Sequence, residues 1–210
     1  ILHLFEEHGP DCLSYLRGMF AFAIWDIAKQ ELFLARDRFG IKPLYYFWDG
    51  STFLFSSELK SLLTQPLCSK RLDPRGVSQF FTFLYVPHER TLFSEIKKLL
   101  PGHFMHVRRD GLEIKRYYKL PMPIETEPHS DGEWVEYFLE AAKDTIRAHL
   151  VSDVPVGAFL SGGIDSSIVV ALMSRLLRNP VQAFAIGYDQ QGASFDERLY
   201  ARKVADLYGA

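Results

Sequence analysis

An apolar run, Val156-Gly157-Ala158-Phe159-Leu160, passes directly into Ser161-Gly162-Gly163-Ile164-Asp165-Ser166-Ser167 and then into a second apolar run, Ile168-Val169-Val170-Ala171-Leu172-Met173. A buried strand that turns on two glycines into a helix is the only economical way to fold this stretch. It commits the last third of the chain to strand–helix alternation, hence to a parallel sheet with covering helices. Such a turn aims backbone N–H groups and the positive end of a helix at one point, which suits a phosphate. The turn lacks the lysine of a GxxxxGK[ST] loop and the spacing of GxGxxG. It offers small hydroxyls at Ser161, Ser166 and Ser167, bare backbone at Gly162 and Gly163, and a carboxylate at Asp165. A carboxylate beside phosphates makes sense if it holds Mg²⁺; otherwise Asp165 only caps the helix.

The flanking segments extend this pattern. Ser130 and Glu133 read as a capping box opening an amphipathic helix in which Trp134, Val135, Phe138, Ile146 and His149 fall on the inner stripe. A strand is expected over 181–186 and a helix from about Asp196 to Leu207, started by Ser194 with Glu197. Ligands of open parallel sheets lie beyond the strand carboxyl ends. An adenine is therefore expected between Phe159 or Leu160 and Ile186, with phosphates on the glycine turn.

The first half is of another kind. Strands are expected over 19–25, 31–35, 44–48, 52–56, 103–107 and 112–118, joined by turn-forming residues such as Asp49-Gly50 and Arg109-Asp110-Gly111, which makes an antiparallel meander. Helical spacing marks 57–63 and a Phe-rich stretch over 73–86, read as a buried helix stopped by Pro87. Prolines among acidic and small residues mark 120–131 as a linker. The domains are thus 1–119 and 132–210, the first α+β with antiparallel sheets, the second the start of an α/β domain.

Several function classes are disfavoured. The net charge of −2 with scattered basic residues argues against a nucleic-acid partner. No apolar stretch approaches the ~20 residues of a membrane span. Cys12 and Cys68 lack ligand spacing and read as core residues, which fits a reducing cytoplasm. The absence of an initiator Met and the end at Tyr208-Gly209-Ala210 point to a piece of a longer protein.

SGGIDSS resembles the pyrophosphate-binding signature SGGxDS of the PP-loop ATP pyrophosphatases. The preceding Ser152-Asp153-Val154-Pro155-Val156-Gly157-Ala158-Phe159-Leu160 is similar to its version in the glutamine-hydrolysing asparagine synthetases. The blocks Gly18-Met19-Phe20-Ala21-Phe22-Ala23-Ile24-Trp25-Asp26, Ala35-Arg36-Asp37-Arg38-Phe39-Gly40-Ile41-Lys42-Pro43-Leu44-Tyr45-Tyr46, Phe55-Ser56-Ser57-Glu58-Leu59-Lys60 and Leu100-Pro101-Gly102-His103 resemble, in the same order, the later part of that family's glutaminase domain. The resemblance implies an N-terminal-nucleophile glutaminase part, a sandwich of antiparallel sheets between helices, followed by the start of a PP-loop domain. It implies a cytoplasmic ligase of asparagine biosynthesis that forms asparagine, glutamate, AMP and pyrophosphate from aspartate, glutamine and ATP. It also implies that ammonia is passed internally to a β-aspartyl-AMP.

Carried over residue by residue, it implies that Ser161, Gly162, Gly163, Ser166 and Ser167 bind pyrophosphate, that Asp165 binds Mg²⁺, and that Phe159, Leu160 and Ile186 flank adenine. The family's nucleophile is an N-terminal cysteine, and none stands at Ile1, so no catalytic residue is assigned and turnover by these residues alone is not expected. Arg36, Asp37, Arg38 and Glu58 are expected to fix turns. Aspartate, glutamine and ATP are the expected small-molecule partners, with a homodimer left open. The alternatives are a β-lactam-synthetase-like ligase and a non-catalytic ATP-binding module.

Overall fold

The computed structural model describes residues 1–122, 129–187 and 196–210. The chain divides into two compact units, Ile1–Pro123 and Ile124–Ala210.

Unit 1 opens with helix α1 (Leu2–His8), a 3-10 turn (Gly9–Asp11) and a short helix α2 (Cys12–Tyr15). Strands β1 (Ala21–Asp26), β2 (Glu31–Arg36), β3 (Tyr45–Trp48) and β4 (Phe53–Ser56) follow. After helices α3 (Leu59–Leu62) and α4 (Pro74–Phe83) come β5 (Ile96–Lys98), β6 (His103–Arg108) and β7 (Gly111–Arg116). The turns carry their own chemistry. Asp49 accepts the N–H groups of Ser51 (2.8 Å) and Thr52 (2.7 Å) between β3 and β4, with Gly50 at φ 98°, where a side chain would be strained.

Two antiparallel sheets result, in the orders β1-β2-β6-β7 and β4-β3-β5. In β2, Phe33, Leu34 and Ala35 are buried in succession, so both faces of that strand are covered. Leu34 lies opposite Met105, and these two pack with Leu44, Tyr46 and Leu99 of the second sheet and its flanks. On the other face Phe33, Ala35 and Phe104 pack against Cys12 and Leu13 of α2. Phe47 and Ile96, on the far face of the second sheet, meet Leu62 of α3 and Cys68. The order is therefore helix, sheet, sheet, helix. The strands are antiparallel as expected, but the single meander is corrected: β2 pairs with β6 and not with β3, and β3 lies between β4 and β5 in a second sheet, because the burial of both faces of β2 needs another sheet packed against it. Strand β5 escapes sequence reading because Ile-Lys-Lys carries too few residues to show a period.

The stretch 73–86 is corrected in two respects. α4 ends at Phe83, because Leu84 adopts a left-handed conformation (φ 61°) and returns its N–H to the Phe80 carbonyl at 2.8 Å, three residues before Pro87. Nor is it a buried helix: Gly76 is its buried residue, packed against the Thr91 carbonyl, whereas Phe81 is 78% exposed.

Unit 2 contains α5 (Asp131–His149), β8 (Gly157–Phe159), α6 (Ile164–Leu176), β9 (Gln182–Phe184) and α7 (Arg198–Tyr208). β8 and β9 pair in parallel, Ala158 opposite Ala183. Leu160, Val170, Met173, Val181, Ala201 and Ala205 form its core, against which Ile146 and Leu150 pack. The capping box is present: Ser130 N–H donates to the Glu133 carboxylate at 2.7 Å and Glu133 N–H donates to Ser130 Oγ at 3.4 Å. Ser130→Ala is expected to remove about 1 kcal/mol from unit 2, read as a lower urea midpoint with unchanged slope; an unchanged midpoint would show that the cap contributes nothing.

The expected inner stripe of α5 is corrected: Trp134, Val135, Phe138 and His149 are exposed, His149 with its Nδ1 2.8 Å from the Thr145 carbonyl, because α5 meets the core through the half-buried Ile146 and Leu150 near its end. The helix expected from Asp196 begins at Arg198, so Glu197 takes the N-cap position without a side-chain cap bond, rather than the third helical position. Ser194, the other half of that expected cap, lies outside the described residues, as does 123–128 of the expected linker. No helix among the described residues is long and apolar enough to cross a membrane.

Candidate functional site

Pairing of β8 with β9 continues one step past the strand end, where Leu160 N–H donates to the Phe184 carbonyl at 2.8 Å. Leu160 is anchored in the core at 3% exposure, and the chain must then leave the sheet. Gly162 makes the reversal at φ 82° and lies so close to Tyr200 and Ala201 of α7 that a methyl group there would stand 2.6 Å from the Tyr200 carbonyl carbon. Gly163 is the N-cap of α6 and supplies no side-chain cap. The first amides of α6 are thereby left to whatever occupies the turn.

The hydroxyls knit the turn from within. Ser161 Oγ accepts from Gly163 N–H at 3.3 Å and lies 3.0 Å from Ser166 Oγ, which donates to the Gly163 carbonyl at 3.2 Å. Ser167 Oγ donates to the same carbonyl at 2.7 Å.

Phe159, Leu160, Ser161, Ser166 and Ile186 come together around one cleft of about 360 Å³, joined by Phe184, Ala185 and Glu197. Phe159 (78% exposed) and Ile186 (72%) present free apolar surface, whereas Leu160 contributes chiefly to the core. Gly162, Gly163 and Ser167 shape the turn beside that cleft. Asp165 is placed differently: it borders a groove between α5 and α6 with Phe138, Thr145, Ile146 and Val169. Its carboxylate lies in the first turn of α6, where the helix dipole favours it. Among the described residues no three His, Cys, Asp or Glu side chains gather to hold a metal by themselves.

Sequence reasoning missed Phe184 and Glu197 as cleft residues. Phe184 was expected in a strand, and alternation there gave no hint of its face. Glu197 carried a helix-start signal, which masked its place at the strand ends.

In unit 1 the expected turn-fixing residues act mainly on the main chain. Arg36 donates to the carbonyls of Lys42 (2.8 Å), Gly40 (2.7 Å) and Leu99 (2.6 Å). Asp37, 1% exposed, accepts the N–H groups of Phe20, Phe39, Ile41 and Lys42. Arg38 donates to the Ser14 carbonyl at 3.3 Å and lies over the Tyr118 ring, while Glu58 forms an exposed pair with Lys60. Both cysteines are free and buried, and burial pushes their thiols up. Buried thiols of raised pKa are poor nucleophiles, which fits their reading as core residues.

These features define a class, an antiparallel two-sheet unit followed by a strand–glycine turn–helix unit. Residues 1–118 match the family model of the glutamine amidotransferase domain, and residues 138–210 that of asparagine synthase. By residues 1–118, over half of its length, the chain belongs to the glutamine amidotransferase domain family, and its later residues are similar to asparagine synthase. It is 36% identical to asparagine synthetase (glutamine-hydrolyzing) 3 of Bacillus subtilis, covering 100% of this chain and 36% of that protein. Against a putative asparagine synthetase (glutamine-hydrolyzing) of Methanocaldococcus jannaschii it is 35% identical over 99% of this chain and 40% of that one. An amidase of Gibberella zeae is 31% identical over all of this chain and 33% of its own length. The chain thus spans well under half the length of these relatives. Among solved structures, a glutamine phosphoribosylpyrophosphate amidotransferase from B. subtilis aligns with 90% of this chain and 37% of that chain at 16% identity, with a TM-score of 0.34.

Proposed function

We propose that the full-length protein is an ATP-dependent amide-forming ligase that adenylates aspartate and amidates it with ammonia released from glutamine, leaving AMP and pyrophosphate. In this reading residues 1–119 belong to the glutaminase domain, 120–131 are the linker, and 132–210 begin a PP-loop domain. The observation that carries it is the turn 161–167, where uncapped helix amides and paired serine hydroxyls surround the mouth of an apolar cleft. The adenine lies against Phe159 and Ile186, and the β- and γ-phosphates rest on the turn. As a carboxylate oxygen attacks the α-phosphorus, negative charge grows on the leaving pyrophosphate, and the amides and hydroxyls of the turn stabilise it more than they stabilise bound ATP.

Mg²⁺ would neutralise the phosphates. The one carboxylate of the turn, Asp165, would hold it together with phosphate oxygens, although its side chain borders the groove between α5 and α6 and not the cleft lined by Ser161 and Ser166. Neither buried cysteine takes part, so glutamine hydrolysis is assigned to none of these 210 residues.

The test is aspartate-dependent exchange of pyrophosphate into ATP by the full-length protein. Ser161→Ala and Asp165→Ala are each expected to lower it about 10²-fold, the cost of removing one preorganised stabilising group. Exchange that survives both substitutions unchanged removes the turn from the reaction. Asparagine formation from aspartate, ATP and glutamine separates this ligase from one acting on another carboxylate.

A further inference from the structure

His106 of β6 lies on the face of the first sheet that α1 and α2 cover, opposite Phe33 of β2 and Glu113 of β7. Its ring is 5.1 Å from that of Phe33 and 5.5 Å from that of Phe104. α1 and the 3-10 turn close over it: Phe5 meets Phe33 at 4.7 Å, and Phe5, Glu6, Gly9 and Pro10 line a cavity of about 180 Å³ together with Ile24, Phe33 and His106. Nδ1 of His106 is buried and has no hydrogen-bond partner among the described residues. α1 itself is lightly held. None of its residues is fully buried, its N-cap makes no side-chain bond, and Leu4 and Phe5 are what it gives to the core.

A neutral imidazole leaves one ring nitrogen bare, and Nδ1 can be that nitrogen; an imidazolium carries N–H on both. Protonated in place, His106 would hold a charge and an N–H with no acceptor where water does not reach. Among the described residues the carboxylates around it are already engaged. Glu31 is paired with Arg108 at 2.9 Å, Glu113 with Lys115 at 2.8 Å and with Arg108 at 3.8 Å, Asp26 with Lys29 at 3.5 Å, and Glu6 lies 3.0 Å from His3 Nδ1. We infer that His106 is an acid-released latch: neutral, it lets α1 and the 3-10 turn close on the sheet; protonated, it gains solvent and acceptors only when they lift. Burial first, then the charge of Arg108, outweigh Glu31 and Glu113 and hold the His106 ring below its ordinary value of 6.5. The packing of α1 is therefore complete above about pH 6.5 and is lost as pH falls through the folded value.

The experiment is hydrogen exchange read by mass spectrometry on the full-length protein and its His106→Phe variant from pH 7.5 to pH 5.0, with each rate divided by the intrinsic exchange rate at that pH. In wild type the protection of residues 2–15 is expected to fall about tenfold over that range, while protection of β3 and β4 in the second sheet stays level. His106→Phe, which keeps a ring between Phe33 and Phe104 and cannot titrate, is expected to hold the protection of residues 2–15 constant. An equal fall in both proteins overturns the inference, because His3 or His8 would then carry the effect. Level protection in wild type overturns it too, and so does a fall shared by β3 and β4, which would be general loosening in acid. If His106→Phe fails to fold, His106→Gln is expected to remove the pH dependence in the same way, and a fall there as large as that of wild type overturns the inference equally.

Discussion

Asp37→Ala is expected to cost unit 1 about 3–5 kcal/mol, a large part of the ~5–15 kcal/mol that holds a domain folded. The carboxylate is almost wholly buried and is the shared acceptor for four amides, those of Phe20 (3.3 Å), Phe39 (3.1 Å), Ile41 (3.0 Å) and Lys42 (2.9 Å). Removing it strands four donors where water reaches poorly, and the loop between β2 and β3 loses its centre. Arg36 cannot compensate, because its guanidinium supplies only donors and is already spent on carbonyls of Lys42, Gly40 and Leu99.

The same group gives a pH signature. Burial alone would push the Asp37 carboxyl up, but the N–H groups of Lys42, Ile41, Phe39 and Phe20 outweigh it and hold it below the ordinary range. A folded-state pKa below the unfolded value of about 3.9 contributes stability that is complete above that pH and is lost as pH falls through the folded value. Urea midpoints measured from pH 7 down to pH 2 should therefore fall less steeply below about pH 4 in Asp37→Asn than in wild type. Parallel acid limbs for the two proteins would contradict this account, as would an Asp37→Ala midpoint within error of wild type.

Gly162→Ala is expected to cost unit 2 about 2–4 kcal/mol, from left-handed strain and from collision with main chain. The backbone there is at φ 82°, and the added methyl would stand 2.8 Å from the Ala201 nitrogen as well as against Tyr200, so α7 must shift. Gly163→Ala, one residue on, is the control. Its φ of −70° suits any residue, and its methyl would meet only the Ser161 hydroxyl at 3.3 Å. Its stability cost should stay below about 1 kcal/mol. Equal losses at both positions, read by thermal unfolding of the full-length protein, would mean that the approach of α7 to the turn is not what Gly162 serves.

What was legible from residue order alone is what is decided within four or five residues. The Asp49-Gly50 hairpin, the Ser130–Glu133 capping box and the strand–glycine turn–helix at 157–176 are formed by side chains bonding to their own neighbouring backbone, so their chemistry is written locally. The change from antiparallel to parallel architecture was also legible, because alternation period and connection length change together near residue 130. Residue order likewise sufficed to name the hydroxyls and glycines of the turn.

Tertiary structure decided the rest. Whether Asp37 receives four amides depends on Phe20, 17 residues away, as much as on its neighbours. That the aromatics of α4 stay exposed depends on Gly76 meeting the Thr91 carbonyl, which no helical period encodes. Asp165 and Ser166 are adjacent in the chain, yet successive residues of a helix point about 100° apart, so one borders the α5 groove and the other the cleft. Glu197 enters that cleft from 36 residues beyond Ser161 only because Arg198 on Gly187 and α7 on Gly162 bring it there. Residue order determines which groups can cap, turn and bury, since those energies act along the chain; which groups meet across it is settled by packing, which only the folded molecule holds.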